Sequence, residues 1–144
     1  VAVSEWGDNS DGLIIADHEC NEYYTAKRYN ALAHFSKFVP VGSKVISNEK
    51  DVNDRVAWKI KKQMGFVILN KTNCASFLTP DGSIVVVIVN DDAGCTFNFE
   101  GISGRDNLKI YTTNDRYDLK LTYDGEYKQE VEIPGLSITT LIFS

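Results

Sequence analysis

Ser4-Glu5-Trp6 is the cluster in this chain best suited to chemistry. A glutamate beside an indole can hold hydroxyl groups while the ring stacks on the apolar face of a sugar. Asp8 and Asp11 follow closely, but they sit in a polar stretch with Gly7, Asn9 and Gly12, where acids usually just face water. Glu5 and Trp6 are therefore the candidate binding residues, and no residue is assigned a catalytic role.

Asp17-His18-Glu19-Cys20 has the residue types of a metal site. Zinc takes three or four ligands on an ordered frame, at spacings such as His-x₃₋₅-His or Cys-x₂-Cys. His18 and His34 fit neither spacing, so no metal and no cofactor is expected. His34 falls within a helix next to core residues and reads as a partly buried structural histidine. Cys20, Cys74 and Cys95 are too few for a disulfide scaffold. Cys74 and Cys95 lie on expected strands, as small buried hydrophobes or as an inter-strand bridge. Tyr111, Tyr117, Tyr123 and Tyr127, with Asp118, Asp124 and Glu126, could form a sugar-binding surface. Their alternation suits packing in a sheet better. Asn70-Lys71-Thr72 is a glycosylation triplet.

These residues are positioned by two kinds of element, and the change falls at Pro40-Val41-Gly42. Ahead of it come an extended run, Val1 to Trp6, a polar loop, the apolar patch Leu13-Ile14-Ile15, and a helix. Asn21 is the expected N-cap and Glu22 suits the positive end of the helix dipole. Tyr24, Arg28, Leu32, Phe35 and Val39 share a face, widened by Ala31 and Phe38; Pro40 should end the helix near Phe38. This is one strand-loop-helix unit.

Beyond Gly42 the apolar period becomes two. Pro80-Asp81-Gly82-Ser83 and Asn90-Asp91-Asp92-Ala93-Gly94 are turns, and between them Ile84 to Val89 is a strand covered on both faces. Cys95, Phe97 and Phe99 alternate with polar residues, as do Leu108-Ile110 and Leu119-Leu121-Tyr123, with Asp124-Gly125 as a hairpin signal. Tyr127, Val131 and Ile133 face one way, and Ser137 to Phe143 is a final strand. Asp51 could cap a helix over 51–65 that stops at Gly65, although Val56, Trp58 and Ile60 also alternate. The fold class that follows is mainly β: an antiparallel β-sandwich preceded by one βα unit.

Composition narrows the classes further. A chain of 144 residues is far short of the roughly 250 of a closed (β/α)₈ barrel. The longest apolar run, Ile84 to Val89, is much shorter than the roughly 20 residues of a membrane span. A net charge of −5 with scattered basic residues argues against a nucleic-acid partner.

The run Arg28-Tyr29-Asn30-Ala31-Leu32-Ala33-His34-Phe35-Ser36-Lys37-Phe38-Val39-Pro40-Val41-Gly42 resembles the last barrel helix and barrel exit of glycoside hydrolase family 30. There a Tyr-x-x-x-x-x-Phe-Ser-x-Phe-Val-x-Pro-Gly-like run leads into an accessory β-sandwich; here Val41 separates Pro40 from Gly42. In the same order, Pro80 to Asn90 resembles the family's Asp-Gly hairpin and Leu136-Ser137-Ile138-Thr139-Thr140-Leu141 its closing strand. Residues 49–68 depart from the family pattern.

The resemblance implies a division into 1–42, the end of a (β/α)₈ barrel, and 43–144, the β-sandwich. Family members are carboxylate-dependent glycosidases, with an acid/base Glu after the fourth barrel strand and a nucleophile Glu after the seventh. This chain would begin at the eighth strand, with Glu5 and Trp6 lining a subsite and both catalytic carboxylates missing. The function expected is that of the C-terminal region of a glycosidase acting on O-glycosidic bonds of a β-linked glycan or glycoside. Its partners would be carbohydrate and the missing barrel portion, in an extracellular or secretory setting. The competing expectation is a free-standing, non-catalytic carbohydrate-binding sandwich. A sandwich without its barrel should also expose an edge and the Leu32–Phe35–Phe38 helix face, and so self-associate.

Overall fold

The computed structural model describes residues 12–17, 19–46, 72–99, 101–102 and 104–144. Glu5, Trp6, Asp8, Asp11, His18, the helix expected over 51–65 and the Asn70-Lys71 part of the glycosylation triplet lie outside the described residues.

The chain order is β1 (Ile14–Asp17), β2 (Glu22–Thr25), α1 (Lys27–Ser36), β3 (Lys44–Ile46), β4 (Thr72–Leu78), β5 (Ile84–Asn90), β6 (Cys95–Asn98), β7 (Asn107–Thr113), β8 (Lys120–Glu126), β9 (Glu130–Ile133) and β10 (Ser137–Phe143). One antiparallel sheet has the order β3-β4-β5-β10-β7-β8, and β6-β9 forms a second, two-stranded sheet. The mainly β, antiparallel architecture is the one expected from the switch in periodicity.

Two layers cover the larger sheet, one on each face. Period-two alternation sends Val86 and Ile88, Leu108 and Ile110, and Leu141 and Phe143 to one side. There they meet Val131 and Ile133 of β9 and Phe99 just beyond β6 in a single buried cluster. Phe143 lies at its centre, with the rings of Phe99 and Tyr127 at 5.2 and 6.0 Å. The other face carries Tyr111, Thr113, Thr140 and Phe77, and against it lies α1. Last in the chain, β10 is central in the sheet, paired with both β5 and β7. That double pairing, with a layer on each face, explains why Ser137–Phe143 is almost wholly buried and reads as a nearly continuous apolar and threonine run.

The helix begins later than its sequence suggests. Asn21 is not the N-cap: it takes a left-handed φ of 54° in the tight turn between β1 and β2. The Asp17 carboxylate shapes that turn by accepting the backbone N–H groups of Glu19 (2.9 Å) and Cys20 (3.1 Å). Asx chemistry at Asp17 and the tolerance of Asn for φ > 0 make a hairpin where a cap was expected. Glu22 and Tyr24 consequently belong to β2, and Ala26 precedes the helix with no side-chain cap. The far end behaves as expected: Val39 N–H reaches Phe35 O at 2.9 Å and Pro40 ends the run.

Asp124-Gly125 also departs from expectation. Both lie inside β8, where Gly125 pairs with Leu108 and Asp124 with Lys109. The Tyr123 ring folds over Gly125, and its hydroxyl donates to Glu126 O at 2.9 Å. An aromatic covering a strand glycine replaces the packing that glycine lacks, so the strand continues through it.

Candidate functional site

The helix α1 is seated against β10 and β7 of the six-stranded sheet. Of the helix's side chains only His34 is buried, at 0% exposure. Its Nδ1 lies 2.7 Å from Thr140 Oγ1 on β10, and its Nε2 lies 2.9 Å from Thr113 Oγ1 on β7. Two hydroxyls, each able to give or take a hydrogen, match the one donor and one acceptor of a neutral imidazole. Burial without a counter-charge lowers its pKa from 6.5 to about 4.

Contacts on either side of His34 complete the seat. Phe38 packs on Tyr111 with ring centroids 4.4 Å apart and planes tilted by 37°, and Phe35 meets Phe77 edge-on at 6.4 Å. Lys37 lies over both rings of the Phe38–Tyr111 pair. At the other end Lys27 Nζ donates to Asn114 O at 2.8 Å and pairs with Asp118 at 2.6 Å. The receiving loop is itself organised by Asn114, whose Oδ1 accepts the N–H groups of Arg116 and Tyr117, each at 2.9 Å. Leu32 is 51% and Phe35 38% exposed, so the apolar stripe of the helix is only partly covered.

The other candidates resolve into structural roles. The Asp17 carboxylate serves its own turn, and among the described residues no group of three or more His, Cys, Asp or Glu side chains could hold a metal ion. Cys74 and Cys95 form no disulfide and pack partly against the core, and Cys20 is exposed. The tyrosines pack or cap instead of forming one surface. Tyr127 donates to Phe99 O at 2.9 Å, Tyr111 lies under Phe38, and Lys120 and Lys128 cover Tyr117 and Tyr123. Asp118 and Asp124 are spoken for by Lys27 and Lys109. The Asp81 carboxyl is held below its usual range by the Thr79 hydroxyl first, then by Ser83, inside the β4–β5 turn. Among the described residues no helix is long and apolar enough to cross a membrane.

The bidentate role of His34 escaped sequence reasoning, which placed it only as a partly buried helical histidine. The available signal was the Ser-x-Thr-Thr pattern of β10: a polar residue such as Thr140 in an otherwise apolar central strand needs a partner.

Similar solved structures share the fold at low identity. A GH30 endoxylanase from Clostridium papyrosolvens C71 matches with a TM-score of 0.61 and 19% identity over 83% of this chain and 28% of its own. The catalytic domain of GH30 xylanase C from Talaromyces cellulolyticus matches with a TM-score of 0.67 and 18% identity over 92% of this chain and 27% of its own. A conserved exported protein from Bacteroides fragilis gives 0.63 and 21%, over 84% of this chain and 22% of its own. The chain thus spans about a quarter of the length of these structures. No curated protein matches the sequence. Residues 55–141, more than half of the chain, match the glycosyl hydrolase family 30 β-sandwich domain, and the chain belongs to that family.

Proposed function

We propose that this chain is the C-terminal region of a glycosidase that acts on O-glycosidic bonds of a β-linked glycan or glycoside. In this reading residues 1–42 are the last strand-loop-helix unit of a (β/α)₈ barrel and residues 43–144 the accessory sandwich. Glu5 and Trp6 line a substrate subsite, while the two carboxylates that hydrolysis requires come from the rest of the parent protein. The observation that carries the reading is the seat of α1. A helix that buries His34 on the outer face of the sandwich sheet ties the sandwich to whatever the helix belongs to. The family match and the two xylanases among the similar structures support a glycan as substrate. The Bacteroides fragilis exported protein supports an extracellular or secretory setting.

The test is an assay of the 144-residue chain on aryl β-glycosides. No turnover is expected; robust hydrolysis that disappears in Glu5→Gln would overturn the assignment. Titration with xylo- and gluco-oligosaccharides, followed by Trp fluorescence, addresses the alternative of a free-standing binding module. A flat response supports the scaffold, and saturable quenching supports the binding module.

A further inference from the structure

We propose that His34 is an acid-sensitive latch: when its imidazole takes up a proton, α1 leaves the six-stranded sheet while the sandwich beneath stays folded. This rests on the geometry of the helix seat and is independent of the glycosidase reading.

The hydrogen bonds around the ring satisfy its neutral form, and the burial of the ring disfavours the charged one. The Thr113 hydroxyl oxygen accepts the Leu119 N–H at 2.9 Å, so its own hydrogen is available to His34 Nε2, 2.9 Å away. In the tautomer that uses it, His34 Nδ1–H donates to Thr140 Oγ1, 2.7 Å away, and both ring nitrogens have partners. A proton on Nε2 turns that nitrogen into a second donor and displaces the Thr113 hydroxyl hydrogen from its acceptor. It also places a full charge in a site with 0% exposure.

The described elements packed on the helix offer that charge no carboxylate partner. Ser137–Phe143 contains no ionisable side chain. On the helix-facing side of β7 stand Tyr111 and Lys109, the latter paired with Asp124 at 3.3 Å. The loop after β7 brings Asp115, Arg116, Tyr117 and Asp118, of which Asp118 is engaged by Lys27 at 2.6 Å. From β2 come Glu22, Tyr23 and Tyr24, all exposed. The helix itself adds the cations Lys27 and Arg28, with Lys37 just beyond its end. Burial accordingly holds the His34 pKa near 4, against 6.5 in a released helix.

The response is local because the sheet has two separate packed faces. The buried core between the sheets contains no residue of α1. Releasing the helix gives up the His34 site, two aromatic contacts, the Lys27 bonds to the loop after β7 and the Lys37 contact with Tyr111, and leaves the β5–β10–β7 ladder and its cover of β6 and β9 in place. The least stable cooperative unit opens first.

With these pKa values the ratio of docked to released helix should fall about 50-fold from pH 7 to pH 4.5. Amide hydrogen exchange on the whole chain, corrected for intrinsic rates, reads this directly. The expected result is loss of protection across Tyr29–Ser36 at pH 4.5, with β5 and β10 still protected. Protection that does not change, or that falls together in helix and strands, overturns the proposal. His34→Gln keeps a neutral polar group at the seat and should make helix protection independent of pH. Should that variant not fold, an NMR titration of the imidazole in a His18→Gln background decides. A midpoint well below 6.5 supports the latch, and one near 6.5 overturns it.

Discussion

The Thr113 hydroxyl touches two elements at once: His34 Nε2 of α1 and the backbone N–H of Leu119, both at 2.9 Å. Leu119 holds a left-handed φ of 50°, which a branched residue adopts only when its surroundings fix it. One oxygen therefore steadies both the helix seat and the strained residue that leads into β8.

The first prediction follows from that sharing. Thr113→Val keeps the shape but leaves the Leu119 N–H and one imidazole nitrogen without partners. At about 1 to 3 kcal/mol for each group left unpaired, the loss should be about 2 to 6 kcal/mol. Thr140→Val removes one partner and should cost roughly half as much. Urea denaturation of the two variants would show equal small effects if the hydroxyls were mere spacers.

The second concerns pH. The folded-state pKa of His34 is lowered to about 4, so between there and 6.5 the unfolded chain binds a proton that the folded chain does not. Stability must then rise with pH across this window and fall as acid is added, by up to about 3 kcal/mol, levelling below pH 4. Asp81, also depressed, has the usual carboxylate sign: its contribution is present above its unfolded value and is lost at still lower pH. Urea melts from pH 3 to 8 should show the His34 slope in the wild type and lose it in His34→Gln. A wild-type profile flat between pH 4.5 and 7 would remove the basis for the latch.

Long-range burial was legible in the sequence wherever a single period ruled. Ile84 to Val89, the Cys95–Phe99 alternation and Ser137 to Phe143 became β5, β6 and β10 because a strand covered on its inner face admits little else. Local turn chemistry was less legible. Asn21 before Glu22 has the grammar of a helix start, but the Asp17 carboxylate captured the next N–H groups and closed a hairpin instead. Asp124-Gly125 has the grammar of a hairpin, yet the Tyr123 ring decided otherwise from two residues away. By sequence Asn90 opens a turn, yet its side chain is buried. Its amide also donates to Pro134 O at 3.0 Å, tying that turn to one that lies far along the chain. The pairing of His34 with Thr113 and Thr140 spans 79 and 106 positions, and no short-range pattern encodes it.

Two glycines should respond differently to alanine. A Cβ at Gly135 would sit 2.6 Å from Asp92 O and 2.9 Å from Gly94 N, both backbone atoms of the adjoining turn. Neither can yield without moving the β5–β6 connection, so Gly135→Ala should cost about 2 to 3 kcal/mol, the range of overpacking. A Cβ at Gly125 would meet the Tyr123 hydroxyl at 2.9 Å, the far end of a side chain that can swing aside. Strand propensity partly offsets the lost contact, and Gly125→Ala should stay within about 1 kcal/mol of wild type. Thermal melts that rank the two in the opposite order would refute this reading of the β9–β10 turn.

Lys27 tests the value of a short ion pair. At 2.6 Å its contact with Asp118 is the closest charge pair at the seat, yet both side chains are more than half exposed. Solvent screening should hold Lys27→Ala to about 1 kcal/mol or less, well under Thr113→Val. A larger loss would mean that the bond to Asn114 O, and not the charge pair, secures the loop.

The last prediction is self-association of the isolated chain. Among the described residues, β3 and β8 end the six-stranded sheet. The β8 edge is defended: Lys120, Asp124 and Glu126 punctuate it, and charged edge residues discourage a second chain. At the opposite edge β3 is only three residues long, with one charge, Lys44, beside Val45, which is 77% exposed among the described residues and close in sequence to the exposed Val41. The half-exposed Leu32 and Phe35 add apolar surface on α1. A net charge of −5 discourages unspecific clumping but is too small to prevent a backbone ladder between two β3 edges. Sedimentation at micromolar concentration should therefore give a species heavier than the monomer. Val45→Lys places a charge on that edge and should return the chain to monomer. A wild-type chain that sediments as a monomer throughout would mean that the β3 edge and the helix face are already covered within the chain itself.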